Sequence, residues 1–277
     1  MGALSTGNVP KVNRPTFRFV AAGQDLTEGL ALWELWSTLG WHDIRQRYQR
    51  SVIGPFWLTL SMGLTIGGLA YLYAGLFGQR LDEYLPYVAL GMIVFSFVSA
   101  LITDGSSVFI SSSRVILQIR APLSLYIYQM LWKNILMFAH NIFIFVFVVV
   151  YLRLPLVWTM LLSILGLLLL ILSAFWIGII LGGLGARFRD VPPIVSSVMQ
   201  VAFFLTPVFW TPGSLPNREL FVHLNPFYYL VDIVRMPLLG QTPPLSMWLV
   251  LIGMNLACAL VAMVFYARYR TRIAYWV

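Results

Sequence analysis

The stretch Asp43-Ile-Arg-Gln-Arg-Tyr-Gln-Arg-Ser-Val-Ile-Gly-Pro-Phe-Trp57 passes from a basic, amphipathic segment into a continuous apolar run. Ahead of it the chain is mixed in character; behind it nearly every long segment is apolar. The junction is where a surface-lying segment meets a membrane span, and it decides the fold class. Composition agrees. Of 277 residues, 60% are hydrophobic and 10% charged, with mean hydropathy +0.83, whereas soluble domains carry about 25% charged residues. Runs such as LLSILGLLLLILSAFWIGIILGGLG lack the period-two alternation of a transmembrane β-barrel. The expectation is an all-α integral membrane protein with six transmembrane helices, an N-terminal amphipathic interface helix, and short re-entrant helices between spans five and six.

Working outward, residues 1–28, with Pro10 and Pro15, read as a flexible tail. Residues 29–53 read as the interface helix. Leu32, Trp33, Leu35, Trp36, Leu39 and Ile44 recur at helical spacing, and Arg45, Arg47 and Arg50 gather at its end. Residues 54–268 form the six-span domain, and 269–277 a short tail. The spans are expected near Phe56–Phe77, Leu85–Ile110, Leu125–Tyr151, Leu156–Gly185, Pro193–Trp210 and Met247–Tyr266. Two small-residue stripes, Gly63 with Gly67 and Ala174-Gly178-Gly182-Ala186, allow close helix approach. The Pro-rich stretch 211–246 is too polar for a simple span. Within it Asn225-Pro226 reads as a cap opening a helix over Phe227–Met236.

Charge fixes an orientation. With six spans, Lys11, Arg14, Arg18, Arg45, Arg47, Arg50, Arg114, Arg120, Lys133, Arg187, Arg189, Arg268, Arg270 and Arg272 fall on the side of both termini. Arg80, Arg153, Arg218 and Arg235 fall opposite, completing the 18 basic residues. The positive-inside rule then places both termini in the cytoplasm. The first thirty residues hold no apolar core, so span one is expected to act as the targeting signal.

Several chemistries are absent. The sequence contains no G-x-x-x-x-G-K-[ST] loop, no HExxH and no nucleophile motif, and the lone Cys258 reads as a packing residue. His42, His140 and His223 lie far apart in sequence. Asp104, beside Thr103, Ser106 and Ser107, reads as a helix-end residue bonded to its neighbours, and His140-Asn141 as interhelical hydrogen-bonding groups. So few mid-membrane charges argue against a proton- or sodium-driven carrier. Neither an active site, as in a membrane glycosyltransferase, nor a cofactor site is expected. A purely structural scaffold is the bland alternative. Energy for transport would come from outside, received at three basic elements: Asp43, Arg45, Arg47 and Arg50; the loop Ser111–Pro122 with Arg114 and Arg120; and Arg187, Arg189 and Asp190. Tyr71, Tyr73, Phe203, Phe204, Phe209 and Trp210 gather toward the outer side and are candidates to line a path for sugars, whose C–H faces stack on aromatic rings.

RYQRSVIGPFW, Arg120-Ala-Pro122, ARFRDV over Ala186–Val191, TPVFW over Thr206–Trp210, and Asn225-Pro226 occur in an order that resembles membrane subunits of type-2 ABC exporters. More narrowly, the pattern is similar to the branch exporting O-antigen, capsule and teichoic acid. The resemblance implies a homodimeric permease in the bacterial cytoplasmic (inner) membrane, working with two copies of a separate ATPase that binds ATP and magnesium. It implies a channel lined by spans one and five, a coupling helix in Ser111–Pro122, a docking or gate element at Asp43–Ser51, and outer gate helices in Thr211–Met236. O-antigen is the expected cargo; capsule, teichoic acid, or a small lipid or drug are the alternatives.

Overall fold

The computed structural model describes residues 15–48, 56–212 and 219–277. Among these the chain is helical, with α1 (Pro15–Ala31), α2 (Trp33–Tyr48), α3 (Phe56–Phe77), α4 (Leu81–Ser111), α5 (Ser113–Gln118), α6 (Ser124–Leu152), α7 (Leu162–Arg187), α8 (Val191–Leu205), α9 (Glu219–Leu224), α10 (Pro226–Leu238) and α11 (Leu245–Trp276). A 3-10 turn, Trp158–Leu161, leads into α7.

Among the described residues, five helices are long and apolar enough to cross a membrane: α3, α4, α6, α7 with its leading turn, and α11. The sixth segment is shorter. α8 has 15 residues, roughly 22 Å of helix, against a hydrocarbon core of about 30 Å. Its direction is nonetheless clear. It leaves the end of α7, passes Phe95 of α4 through Phe203, and reaches Tyr84 and Tyr87 near the start of α4 through Thr206–Trp210. The chain from Val191 to Trp210 thus runs antiparallel to α4 between the two ends of the bundle.

Helices α4 and α7 form the centre, and small residues set their spacing. Gly178 meets Gly105, and a β-carbon at Gly182 would stand 2.7 Å from Val108 Cγ1 and 2.9 Å from the Gly105 carbonyl. One at Gly185 would collide with the Ser106 carbonyl. The Ala174–Ala186 stripe is therefore consumed within the chain. The other stripe is not: a β-carbon at Gly63 or Gly67 meets nothing within 4 Å. Its helix, α3, leaves Leu60, Leu64, Tyr71, Leu72 and Leu76 exposed.

The N-terminal region departs from the expected tail over 1–28. Helix runs from Pro15, whose fixed φ suits a first helical position. It breaks at Leu32 and resumes as α2. In α2, Trp36, Gly40 and Ile44 face α6: Trp36 packs on Tyr128 and Trp132, and Ile44 is buried. Trp33 and Trp41 stay exposed, as befits an interfacial helix.

We expect Gly185→Ala to destabilise the protein by about 2 kcal/mol through overpacking, read as a lower thermal midpoint in detergent. Gly23→Ala, where nothing lies within 4 Å of the added methyl, should leave that midpoint unchanged or raise it.

Candidate functional site

Two regions hold the residues singled out from sequence, one at each end of the bundle. The first is the end shared by α1, α2, α5, the start of α6, and the ends of α7 and α11. Its centre is Asp25, buried at 7% exposure. The Ser124 and Leu123 amides donate to its carboxylate at 3.1 and 3.3 Å, so it caps the N-terminus of α6 from another helix. The Tyr266 hydroxyl donates at 2.6 Å and Arg270 Nη1 at 3.2 Å, while Ser124 Oγ donates back to the Asp25 carbonyl at 2.6 Å. Arg270 also reaches the Ala21 carbonyl at 2.7 Å. One carboxylate therefore fastens α1, α6 and α11 together. Sequence reading missed it because residues 1–28 read as tail. The available signal was Pro15 followed by an uninterrupted helix-compatible run.

Around this latch the three basic elements come to one end. Asp43, exposed, accepts from Gln129 Nε2 at 2.8 Å, and Arg45 is exposed beside it. Arg47 lies on α2, with its side chain outside the described set, and Arg50 lies outside the described residues. α5 turns Val115 and Ile116 against the core and leaves Arg114, Leu117, Ile119 and Arg120 outward, Leu117 at 67% and Ile119 at 56% exposure. Arg187 stacks between Phe188 and the terminal Trp276, its guanidinium carbon 5.2 and 5.1 Å from their ring centres. Arg189 Nη2 donates to the Trp276 carbonyl at 3.5 Å, and Asp190 is exposed at the start of α8. The result is a set of exposed basic residues at one end of the bundle, with Leu117 and Ile119 exposed between Arg114 and Arg120 in sequence.

Asp104 lies just inside this end, and its partners correct the expectation of neighbouring bonds alone. Its carboxylate Oδ2 takes Lys133 Nζ at 2.7 Å and Asn134 Nδ2 at 3.0 Å, both from α6. Only its main-chain carbonyl serves a neighbour, Ser107 Oγ. Asn141 does bond between helices, accepting from Thr59 Oγ1 at 3.5 Å, whereas His140 Nδ1 stays with the Leu136 carbonyl of its own helix at 2.7 Å.

The second region is where α8 stops at Leu205 and the chain turns through Thr206–Trp210. Carbonyls released there need donors, because no lipid can supply them. Tyr87 Oη lies 3.1 Å from the Pro207 carbonyl and 3.0 Å from that of Trp210. Tyr84 Oη donates to the Phe209 carbonyl. Arg235 Nη1 donates to Pro207 at 2.7 Å, and Asn225 Nδ2 to Leu205 at 3.2 Å. Asn225 Oδ1 meanwhile caps α10 through Phe227 N at 2.9 Å, with Pro226 opening the helix as its sequence indicates.

Arg235 is almost wholly buried. It pairs with Asp232 one turn back on α10, and its guanidinium carbon lies 3.9 Å from the Tyr87 ring centre. A Gly91 side chain would collide with the Val208 carbonyl, so α4 is glycine where the turn crosses it. The i,i+3 spacing of Asp232 and Arg235 was visible in the sequence, but their depth was not.

Of the six aromatic candidates, Tyr73, Phe203, Phe204 and Phe209 form one cluster. Ring centres lie 5.2 Å apart for Tyr73–Phe209, 5.6 Å for Phe203–Phe209 and 5.3 Å for Phe203–Phe204. Trp210 is buried and donates Nε1 to the Phe204 carbonyl at 3.1 Å. Tyr71 stands apart, 77% exposed. At this end Arg80 pairs with Asp82 at 2.6 Å, which holds the exposed guanidinium above its ordinary pKa. No group of three His, Cys, Asp or Glu side chains is placed to hold a metal among the described residues.

The model of the ABC-2 type transporter family matches residues 34–239, from the start of α2 to the end of α10. The chain belongs to the ABC-2 type transporter family. A relative, the O-antigen export system permease protein RfbA of Myxococcus xanthus, is 22% identical over 193 residues, covering 68% of this chain and 74% of that protein. The chain is a multi-pass membrane component of an ABC transporter rather than a catalytic enzyme, and its family implies an ATPase partner subunit.

Replacing Asp25 with Ala removes the α6 cap and strands Arg270, which should cost about 3 kcal/mol. Faster hydrogen exchange at the Leu123 and Ser124 amides and early proteolysis within α1 would report it. Asp25→Asn, which keeps the acceptor oxygen but loses the charge, should fall between Ala and the parent.

Proposed function

We propose that this chain is the channel-forming permease subunit of an ATP-driven exporter that carries lipid-linked polysaccharide, O-antigen foremost, across the bacterial cytoplasmic membrane. The observation that carries the reading is the exposed Leu117 and Ile119 flanked in sequence by exposed Arg114 and Arg120, at the end where Asp25 locks three helices. Such a surface suits a soluble motor: apolar side chains for a socket, charges for steering. Two copies of a separate ATPase, binding ATP and magnesium themselves, would dock there, so this end and both termini face the cytoplasm.

In this mechanism closure of the ATPase presses on α5. α5 joins the end of α4 directly to the start of α6, and Asp25 passes the displacement to α1 and α11. Helix α8 hangs from the same end through Arg187–Asp190 and finishes at the Thr206–Trp210 turn. Motion of α4 against α8 therefore changes the turn where Tyr73, Phe203, Phe204 and Phe209 cluster. A homodimer fits the unfilled faces. α3 presents Gly63 and Gly67, where an added β-carbon meets nothing within 4 Å among the described residues, and α8 exposes Ile194, Val198, Val201 and Phe204. A second copy covering them would enclose a channel between protomers, with α3 and α8 as its walls.

A second reading keeps the architecture and exports a small lipid. It is favoured by the groove of about 540 Å³ between α8 and α9–α10, lined by Val198, Val201, Leu205 and Leu224.

Vesicles containing this chain and its ATPase should export lipid-linked glycan only with hydrolysable ATP. Glycan movement without nucleotide overturns the proposal, and ATP-driven movement of short-chain lipid alone selects the second reading. The double variant Leu117→Asp/Ile119→Asp should weaken co-purification with the ATPase at least about tenfold. Undiminished co-purification would remove α5 from the docking surface.

A further inference from the structure

A crevice of about 380 Å³ lies among α3, α4 and α6, its lining running from buried Phe97 and Asn134 to exposed Thr65. It runs along α4 from Met92 to Asp104, about 18 Å of helix. Its size falls in the range of small-ligand sites, roughly 300–1,000 Å³. Its lining differs from the apolar grooves elsewhere on the bundle. Asp104, Asn134 and Asn141 line it, with Ser61, Thr65 and Ser96 alongside, and Phe97 and Phe138 lie against one another at 4.6 Å between ring centres. A second, smaller cavity of about 210 Å³ lies toward the docking end and shares Asp104, with Lys133 and the buried Tyr126 in its lining. The Tyr126 hydroxyl has no hydrogen-bond partner among the described residues. Asp104 and Lys133 thus stand between the crevice and the basic end.

The chemistry of the walls selects a ligand class. An acyl chain would set hydrocarbon against Asp104 Oδ1, Asn134 Oδ1 and Asn141 Nδ2, the polar atoms that the Lys133, Met130 and Thr59 contacts leave over. A free cation would have to displace Lys133, already 2.7 Å from Asp104. A phosphate would face the Asp104 carboxylate. A neutral sugar ring meets none of these conflicts. Asn134 Nδ2 is committed to Asp104 and the Met130 carbonyl, and Asn141 Oδ1 to Thr59; sugar hydroxyls can donate to Asp104 Oδ1 and Asn134 Oδ1 and accept from Asn141 Nδ2, and the C–H face suits the Phe97–Phe138 wall.

We propose that the α3–α4–α6 crevice is a binding site for a single sugar ring, with Asp104, Asn134 and Asn141 holding its hydroxyls and Phe97 and Phe138 its apolar face. It rests on the glycan-export reading and deepens it: this chain, not only its partner, selects the sugar that enters. The Asp104–Lys133 pair closes the crevice toward the docking end, and the unpartnered Tyr126 hydroxyl lies on the other side as a waiting hydrogen-bond group.

The test uses the full chain in nanodiscs without the ATPase. With Cys258 replaced by Ala, the Ser96→Cys variant carries one thiol in the crevice. The probes are the methyl glycosides of glucose, galactose, mannose, rhamnose, N-acetylglucosamine and N-acetylgalactosamine, each added before a small thiol-reactive methanethiosulfonate. At least one glycoside should slow labelling, and adding Asn141→Leu should raise the concentration needed about tenfold. A Leu256→Cys control on the exposed face of α11 should label at the same rate with or without sugar. Labelling of Ser96→Cys that no glycoside slows, or slowing that Asn141→Leu leaves intact, overturns the site. Should Ser96→Cys fail to fold, Thr65→Cys from the facing wall carries the same measurement. Sugar protection without ATP-driven export would retain the site and refute the exporter reading; export without protection would do the reverse.

Discussion

A helix that ends inside a membrane must find donors for the carbonyls it releases, and the end of this bundle where α8 stops is arranged around that need. α8 stops after 15 residues, and the turn from Thr206 to Trp210 turns its carbonyls toward α4 and α10. Two tyrosines, one asparagine and one arginine answer them. Each is fixed in turn: Tyr84 and Tyr87 by the first turns of α4, Asn225 by its duty as a cap, Arg235 by Asp232 and the Tyr87 ring. Burying Arg235 without these partners would cost several kcal/mol. With them, the charge becomes the anchor that holds α10 at depth. Close approach of the turn to α4 then demands glycine at position 91.

The opposite end solves a different problem, that of moving as one piece. The N-terminus of α6 and the end of α11 share a single carboxylate, so a force on the α5 loop has no soft joint between those helices. α3 is loosely covered: its Gly63 and Gly67 meet nothing among the described residues, and its Leu60, Leu64, Leu72 and Leu76 are exposed. A latched end, a tethered turn at the far end and an uncovered helix between them are what the proposed assembly with a second copy and an ATPase would use.

Continuous apolar runs made the spans legible. α3 occupies Phe56–Phe77 as its run indicates, because Gly78 takes a left-handed φ of 62° and ends it. The Asn225-Pro226 cap was equally plain, since its chemistry is local. What the residues could not disclose was long-range. α1 owes its order to contacts nearly 250 positions away, and no window of sequence contains both Asp25 and Arg270. The two small-residue stripes look alike in spacing, yet one is filled by α4 and the other by nothing in this chain; periodicity announces close approach without naming the partner. Asp104 read as a helix end because its true partners, Lys133 and Asn134, sit on another helix. Four of the six aromatics singled out as path-lining candidates meet in space, while Trp210 is buried beside them and Tyr71 sits on the opposite face of α3 from Tyr73.

The Asp25 latch also sets an order of events during synthesis. Asp25 is made 241 and 245 positions before its partners Tyr266 and Arg270, so the acid waits on the order of 10–50 s for them at ribosomal rates. Until α11 arrives, α6 keeps a weakly held first turn and α1 lacks its basic partner. Closure of the latch therefore reports that α11 has been inserted, which makes α1 a built-in check on the arrival of a helix made 245 positions later.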